Sequence, residues 1–378
     1  MPSSEKELTD ALVLRRTAQR FYRPELDVLR FFAFFAVFIC HGPRPLSNPP
    51  VGSWQQQVVT NFSIVCQAGA FGLQIFFLLS SYLITELLLR EIDRSDTIHL
   101  KAFYIRRILR IWPLYYLGVA FGIANGFMIN HHLTSTQVWC LVVFVGWLVA
   151  GGYHNGIGQL WSISVEEVFY LIWPNVASAG GEKWIKSASV AIVPMSFLAL
   201  CVSAERWYNP LSQFLFFAAG ALLAVYLRRR PIALPMLWRV AFILFAIPLW
   251  LVAAAHIGGF RGQMTNVQAC LSFALLAIGS VLLFLSVFAL PDRYARGPLA
   301  YLGKISYGLY VFHPLGLWTA AKIVRFGPYA QYDVPRIFEI YVVGLAVSVG
   351  IASLSYRYYE KPFLRLKEHF TFVPSRTT

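Results

Sequence analysis

Two groups stand eleven positions apart in the run "RFFAFFAVFICHG", Arg30 and His41, with only uncharged residues between them. An imidazole can take a proton near neutral pH, and a guanidinium can hold carboxylate or phosphate oxygens through paired N–H donors. On a helix the two lie ~16 Å apart along the axis, one near each face of a bilayer. A second segment, "LWSISVEEVFYLIWP" at 160–174, carries Glu166 and Glu167 at the level expected for His41, with Ser162 and Tyr170 beside them. A histidine with a carboxylate at one depth suits general-base catalysis: the imidazole takes a hydroxyl proton while the carboxylate orients the ring and stabilises its charge. Plainer roles fit each residue alone. Arg30 also suits a snorkelling anchor, His41 an interfacial side chain, and the two acids a helix-dipole complement.

"FYIRRILRIWPLYYL", 103–117, gathers Arg106, Arg107 and Arg110 before an apolar run, with Arg106 and Arg110 spaced to share a helix face. Three guanidiniums suit a multiply phosphorylated ligand. They also suit the basic margin of a membrane span in contact with lipid headgroups. "LGKISYGLYVFHPLG", 302–316, places His313 and Pro314 about nine residues above Lys304, deep in another apolar run. Such a pair faces a cavity or protein, and His313 reads equally as a tunnel-lining or a structural histidine.

The elements that must position these groups are membrane helices. Hydrophobic residues make up 57% of the 378 and charged ones 13%, with a mean hydropathy of +0.58. That balance excludes a soluble globular domain. Stretches long enough to cross ~30 Å of hydrocarbon recur at about 27–41, 66–89, 111–128, 164–180, 187–204, 210–227, 240–256, 267–290, 299–321 and 337–356. An apolar piece at 138–150 is short and reads as a re-entrant or interfacial segment. The expected fold is therefore an all-α polytopic membrane protein of about ten transmembrane helices plus that segment. With these spans, 25 of the 32 Lys and Arg fall on the side of the termini and six on the other, Arg30 being within the first span. The bias places both termini in the cytoplasm and accounts for the net charge of +14 without nucleic acid. The polar, basic first 25 residues show no cleavable signal, so the first span is expected to serve as the anchor. Five scattered cysteines give neither a disulfide framework nor metal spacing.

The outer loops, chiefly 43–65 and 129–163, are nearly free of charge and rich in aromatic and amide side chains. Trp54, Tyr153, His154 and Trp161 are candidates to stack on a sugar ring, and equally members of an interfacial aromatic belt.

Taken together, "RPELDVLRFFAFFAVFICHG", "FGLQIFFLLSSYLIT", "FYIRRILRIWPLYY", "LWSISVEEVFYLIWP", "LGKISYGLYVFHPL" and "YRYYEKPFLRLK" resemble, in order, the motifs of the membrane-bound acyltransferase family 3, which includes bacterial glycan O-acetyltransferases. The resemblance implies a membrane domain over 26–360 between a cytoplasmic basic segment, 1–25, and a cytoplasmic tail, 361–378, in a bacterial inner membrane. It implies an acyl-CoA donor, acetyl-CoA above all, no metal, and a carbohydrate or glycolipid acceptor reached from the outer side. It further implies that His41 is the catalytic base paired with Arg30, that Arg106, Arg107 and Arg110 form the family's arginine cluster, and that Trp161, Ser162 and Glu166 form its Trp-Ser-x-x-x-Glu element. Ser162, Tyr170 and His313 stand as candidates to stabilise an oxyanion. The second-span motif departs from the family pattern at Gln74, where an acid is common, and at Ser81, where glycine is common. Some relatives carry an esterase-like domain after the membrane part; here the sequence runs to Thr378, so transfer is expected to be completed by the membrane domain or a separate partner. A secondary transporter with an intramembrane His/Arg/Glu path and a chemically inert scaffold are the competing classes.

Overall fold

Pro24 opens the first helix at a position whose N–H would lack a partner, and Glu25 and Asp27 set negative charge against its N-terminal dipole. This helix, α1 (Pro24–His41), buries Leu26, Leu29, Phe34 and Phe38 and turns Phe32 and Phe35 outward. The computed structural model describes residues 22–45, 50–152, 156–229, 234–257, 264–327 and 333–371. Among them every regular element is helical. After α1 come α2 (Trp54–Gly69), α3 (Gly72–Ser95), α4 (Leu100–Met128), α5 (Ser135–Val142), α6 (Trp161–Val202), α7 (Pro210–Arg229), α8 (Met236–Ile257), α9 (Asn266–Val287), α10 (Pro298–Lys304), α11 (Ser306–Val324) and α12 (Asp333–Ser355). A π-turn, Tyr356–Glu360, leads into α13 (Lys361–Glu368).

All ten apolar stretches fall on helices, but by length and composition seven helices among the described residues can cross a membrane. Three of the seven are long, at 42, 45 and 35 residues: Trp54–Ser95 runs on through α2 and α3, Gly158–Val202 takes in α6 and continues through two of the expected spans, and Val334–Glu368 runs from α12 through the π-turn into α13. α1 is outside the seven because its 18 residues include Glu25, Asp27 and Arg30. The expected span at 299–321 is broken at Ile305, which separates α10 from α11. The piece at 138–150 forms the end of α5 and a 3₁₀ segment, Gly146–Gly152, rather than one helix.

The 42 residues of α6 would span ~63 Å if straight. Yet Trp161 at its start lies with its ring 5.0 Å from that of Tyr208, just past its end. The helix therefore doubles back, and the reversal sits at Gly180–Gly181, where Gly181 has φ +58 and ψ −142, a conformation only glycine adopts freely. Arg229, at the end of α7, pairs with Glu182 beside this reversal at 2.6 Å. Arg228 pairs with Asp93 at the end of α3, and Arg106 with Glu91, so these charged ends share one face with the described termini. His41, Trp161 and Tyr208 lie at the other.

Between the faces, Phe77, Phe169, Phe217 and Trp173 stack with centroids 4.4–4.9 Å apart and tie α3, α6 and α7 together. The C-terminal carbonyls of α9 are satisfied by Arg239, whose guanidinium donates to the backbone oxygens of Ser286 and Phe288 at 2.8 Å. α10 meets α1 so closely that a Cβ on Gly303 would overlap the Asp27 carbonyl. Gly303→Ala is therefore expected to cost about 1–3 kcal/mol and lower the unfolding temperature in detergent. Gly350→Ala on α12, where a Cβ meets nothing within 4 Å, is expected to leave that temperature unchanged or raised.

Candidate active site

Helices α1, α3, α4, α6 and α11 enclose a cavity of about 190 Å³ that opens toward the charged face. Six cationic side chains line it, Arg23, Arg30, Arg107, Arg110, Lys304 and Lys367, against two carboxylates, Asp27 and Glu166. Arg30 is held in place by Asp27, three residues earlier on α1, through a 2.7 Å ion pair. That spacing puts the two side chains one above the other on the same face of the helix.

The arginine cluster divides. Arg107 and Arg110 face the cavity, whereas Arg106 pairs with Glu91 at 3.2 Å and donates to the Phe370 carbonyl at 2.8 Å. The expectation that Arg106 and Arg110 act from one face is corrected by this pairing: the Glu91 carboxylate draws the Arg106 guanidinium into a separate, smaller cavity of about 30 Å³. The Arg107 guanidinium lies between the Phe103 and Tyr170 rings, 5.6 and 5.8 Å from their centroids, and its Nε is buried without a hydrogen-bond partner. A buried donor left open in a cation-lined cavity suits an anionic ligand.

Glu166 projects from α6 into the cavity. Ser80 donates to one of its oxygens at 2.8 Å and Tyr170 to the other at 3.2 Å. Glu166 is thus fixed by α3 and by the next turn of its own helix, and His41 is not among its hydrogen-bond partners. The pairing of His41 with Glu166 expected from their common depth is corrected accordingly. Glu167 points elsewhere, accepting from the Trp112 indole at 3.4 Å.

His41 is exposed at the end of α1, and its ring lies 4.9 Å from that of His313, which is fully buried. Nδ1 of His41 meets the Val37 carbonyl at 2.9 Å, and Nδ1 of His313 meets the Tyr310 carbonyl at 2.8 Å. A carbonyl oxygen can only accept, so both contacts place the proton on Nδ1 and leave each Nε2 as the basic nitrogen. Nε2 of His313 is buried without a partner. His313 is therefore the neighbour of His41 that depth alone assigned to Glu166.

Tyr310 divides the two halves of the site. Its ring packs 5.8 Å from Phe76 and 5.9 Å from His313, and its hydroxyl lies 2.7 Å from that of Ser162 while donating to the Gln159 carbonyl at 3.0 Å. Tyr310, Phe76 and Ser162 line the cavity, and the two histidines lie beyond them. Ser162 and Tyr170 are both already hydrogen-bonded, to Tyr310 and Glu166 respectively.

Of the proposed sugar-stacking residues, Trp54 is 73% exposed on α2, while Trp161 is 6% exposed because its ring packs edge-on against Tyr208. The reading of Trp161 as a stacking surface is corrected by that burial. Tyr153 and His154 lie outside the described residues. Among the described residues no group of three or more His, Cys, Asp or Glu stands together as a metal site. Sequence reasoning missed Ser80, Gln159, Tyr310, Asp27 and Lys367. Asp27 and Tyr310 each stand three residues before a singled-out partner, Arg30 and His313, and Ser80 and Lys367 lie within quoted motifs, whereas Gln159 had no legible signal.

A sequence model described as an acyltransferase domain matches residues 23–357. The chain is 24% identical to the peptidoglycan O-acetyltransferase OatA of Listeria monocytogenes, covering 92% of this chain and 57% of that protein. It is 25% identical to the putative peptidoglycan O-acetyltransferase YrhL of Bacillus subtilis, covering 92% and 56%. It is also 25% identical to nodulation protein 10 of Rhizobium leguminosarum, covering 92% and 94%. The chain thus spans little more than half the length of the first two relatives. No solved structure matches it.

The Ser80–Glu166 contact provides a test of the site's architecture. A double-mutant cycle with Ser80→Ala and Glu166→Gln, read by thermal unfolding in detergent, is expected to give a coupling of about 1–2 kcal/mol. Additive effects would show that Ser80 does not hold the carboxylate.

Proposed function

This chain belongs to the acyltransferase domain family, and on that premise we propose that it is a multi-pass membrane O-acyltransferase. It takes an acyl group, acetyl above all, from acyl-CoA at the cytoplasmic face of a bacterial inner membrane and delivers it to a hydroxyl of an extracytoplasmic or lipid-linked carbohydrate. The observation that carries this reading is the two-sided site. A cation-lined cavity bearing Arg30, Arg107 and Arg110 opens on the charged face, and the His41–His313 pair stands on the far side of Tyr310. The names of the relatives from Listeria and Bacillus support an O-acetyl transfer to a cell-wall glycan. The transporter alternative has no support in this family.

The donor's phosphates sit on Arg107 and Arg110, and Arg30, braced by Asp27, faces the arm that carries the thioester. To reach His41 the thioester passes the Tyr310 ring, whose hydroxyl is tethered to Ser162 and Gln159. On the outer side Nε2 of His41 takes the proton of the acceptor hydroxyl, its Nδ1–H being fixed on Val37. The oxygen attacks the thioester carbonyl, the C–S bond breaks, and the imidazolium returns its proton to the departing thiolate. Glu166, bound to Ser80 and Tyr170, serves the cavity by holding Tyr170 against Arg107 rather than by orienting the base.

Acyl transfer and CoA binding by purified protein in nanodiscs, with radiolabelled acetyl-CoA, test this reading. His41→Ala is expected to lower turnover by at least about 100-fold while still binding CoA. Arg107→Gln with Arg110→Gln is expected to lose CoA binding. Undiminished CoA binding in that double variant would remove the cavity from the donor path.

A further inference from the structure

The family match ends at residue 357, and the sequence reading takes 361–378 as a cytoplasmic tail. In the fold it returns to the cavity. The π-turn is pinned to α4 by Tyr359, whose hydroxyl donates to the Pro113 carbonyl at 3.1 Å, and Pro362 starts α13 in its first turn. α13 packs against α4, the arginine-bearing helix, with Leu364 turned toward the core and Arg365 and Leu366 outward. Past its end, the Phe370 carbonyl accepts from Arg106 at 2.8 Å and ties the segment down.

This course carries Lys367 to a place where it lines both the main cavity and the small one beside Arg106. In these linings Lys367 stands with Arg107, Arg110 and Arg106, while the carboxylates there, Asp27, Glu166 and Glu91, are already engaged by Arg30, by Ser80 with Tyr170, and by Arg106. A lysine stem is long and flexible, and a lysine serving only topology would turn to water, as its neighbour Arg365 does. Gathering like charges in a partly buried mouth is unfavourable, and a bound polyanion reverses the sign of that interaction. An ammonium is also a compact partner for phosphate, without the geometric demands of a guanidinium.

We propose that Lys367 is a donor-binding residue, which α13 carries to the mouth of the cavity to join Arg107 and Arg110 on the phosphates of the acyl donor. The segment after residue 357 then completes the donor site. This rests on the donor reading above. A lipid headgroup offers the same phosphate chemistry, but the position of Lys367 in the cavity lining, together with Arg30 and Glu166, favours the donor.

The test uses the full chain in phosphatidylcholine nanodiscs, with CoA affinity measured by calorimetry and KM measured for acetyl-CoA and for acetyl-pantetheine, which lacks the nucleotide phosphates. Lys367→Gln is expected to weaken CoA binding and raise the KM for acetyl-CoA about tenfold, leave acetyl-pantetheine kinetics unchanged, and be rescued by Lys367→Arg. Unchanged CoA affinity in Lys367→Gln, alongside lost binding in the Arg107→Gln/Arg110→Gln variant, would overturn the role of Lys367 while leaving the donor reading intact. If wild-type protein binds no CoA, both fall together. An effect confined to nanodiscs containing phosphatidylglycerol would assign the ammonium to lipid and overturn the proposal.

Discussion

A charged side chain taken out of water is costly unless something nearby takes up its charge. Arg30 meets that constraint through Asp27, a residue supplied by its own helix at 2.7 Å. The pair obliges α1 to keep a polar face turned inward while Phe32 and Phe35 face outward, and the cavity forms on that inward face. Glu166 obeys the same rule with neutral donors, Ser80 from α3 and Tyr170 from its own helix. The remaining cavity cations outnumber the carboxylates, an imbalance that suits an anionic ligand.

Close backbone approach is the second constraint. Gly69 and Gly72 set the α2–α3 junction directly against the Ala36 and Ala33 carbonyls of α1, and Gly303 does the same for α10 at Asp27. Small residues permit such contacts between membrane helices, where packing rather than the hydrophobic effect drives association. The consequence bears on the site: α1 is packed closely on two sides, and the same helix carries Arg30 in its second turn and His41 at its C-terminus. α6, doubled back at Gly181, supplies Ser162, Glu166 and Tyr170 from its first half, and α11 supplies Tyr310 and His313.

Much of the helix inventory was legible because apolar length is a local property of the chain, and the axial separation of Arg30 and His41 followed from helical rise alone. Rotation about each axis and the choice among partners were not legible. Arg106 and Arg110 have the right spacing for one face, yet Glu91, fifteen residues before Arg106, takes that guanidinium away from the cavity. His41 and Glu166 were matched by depth, but depth carries no azimuth; His313, 272 positions further along than His41, occupies the adjacent place.

The sequence by itself determined the class of molecule, the order of its apolar helices and the motifs of its family, because each depends on composition or short spacing. The tertiary structure alone decided that Arg107 rather than Arg106 joins Arg30, that Tyr310 divides the cations from the histidines, and that Lys367 returns to the cavity. Those outcomes depend on contacts between segments far apart in the chain, such as Arg106 with Phe370, 264 positions apart. No local pattern encodes which of several equally apolar helix faces will meet.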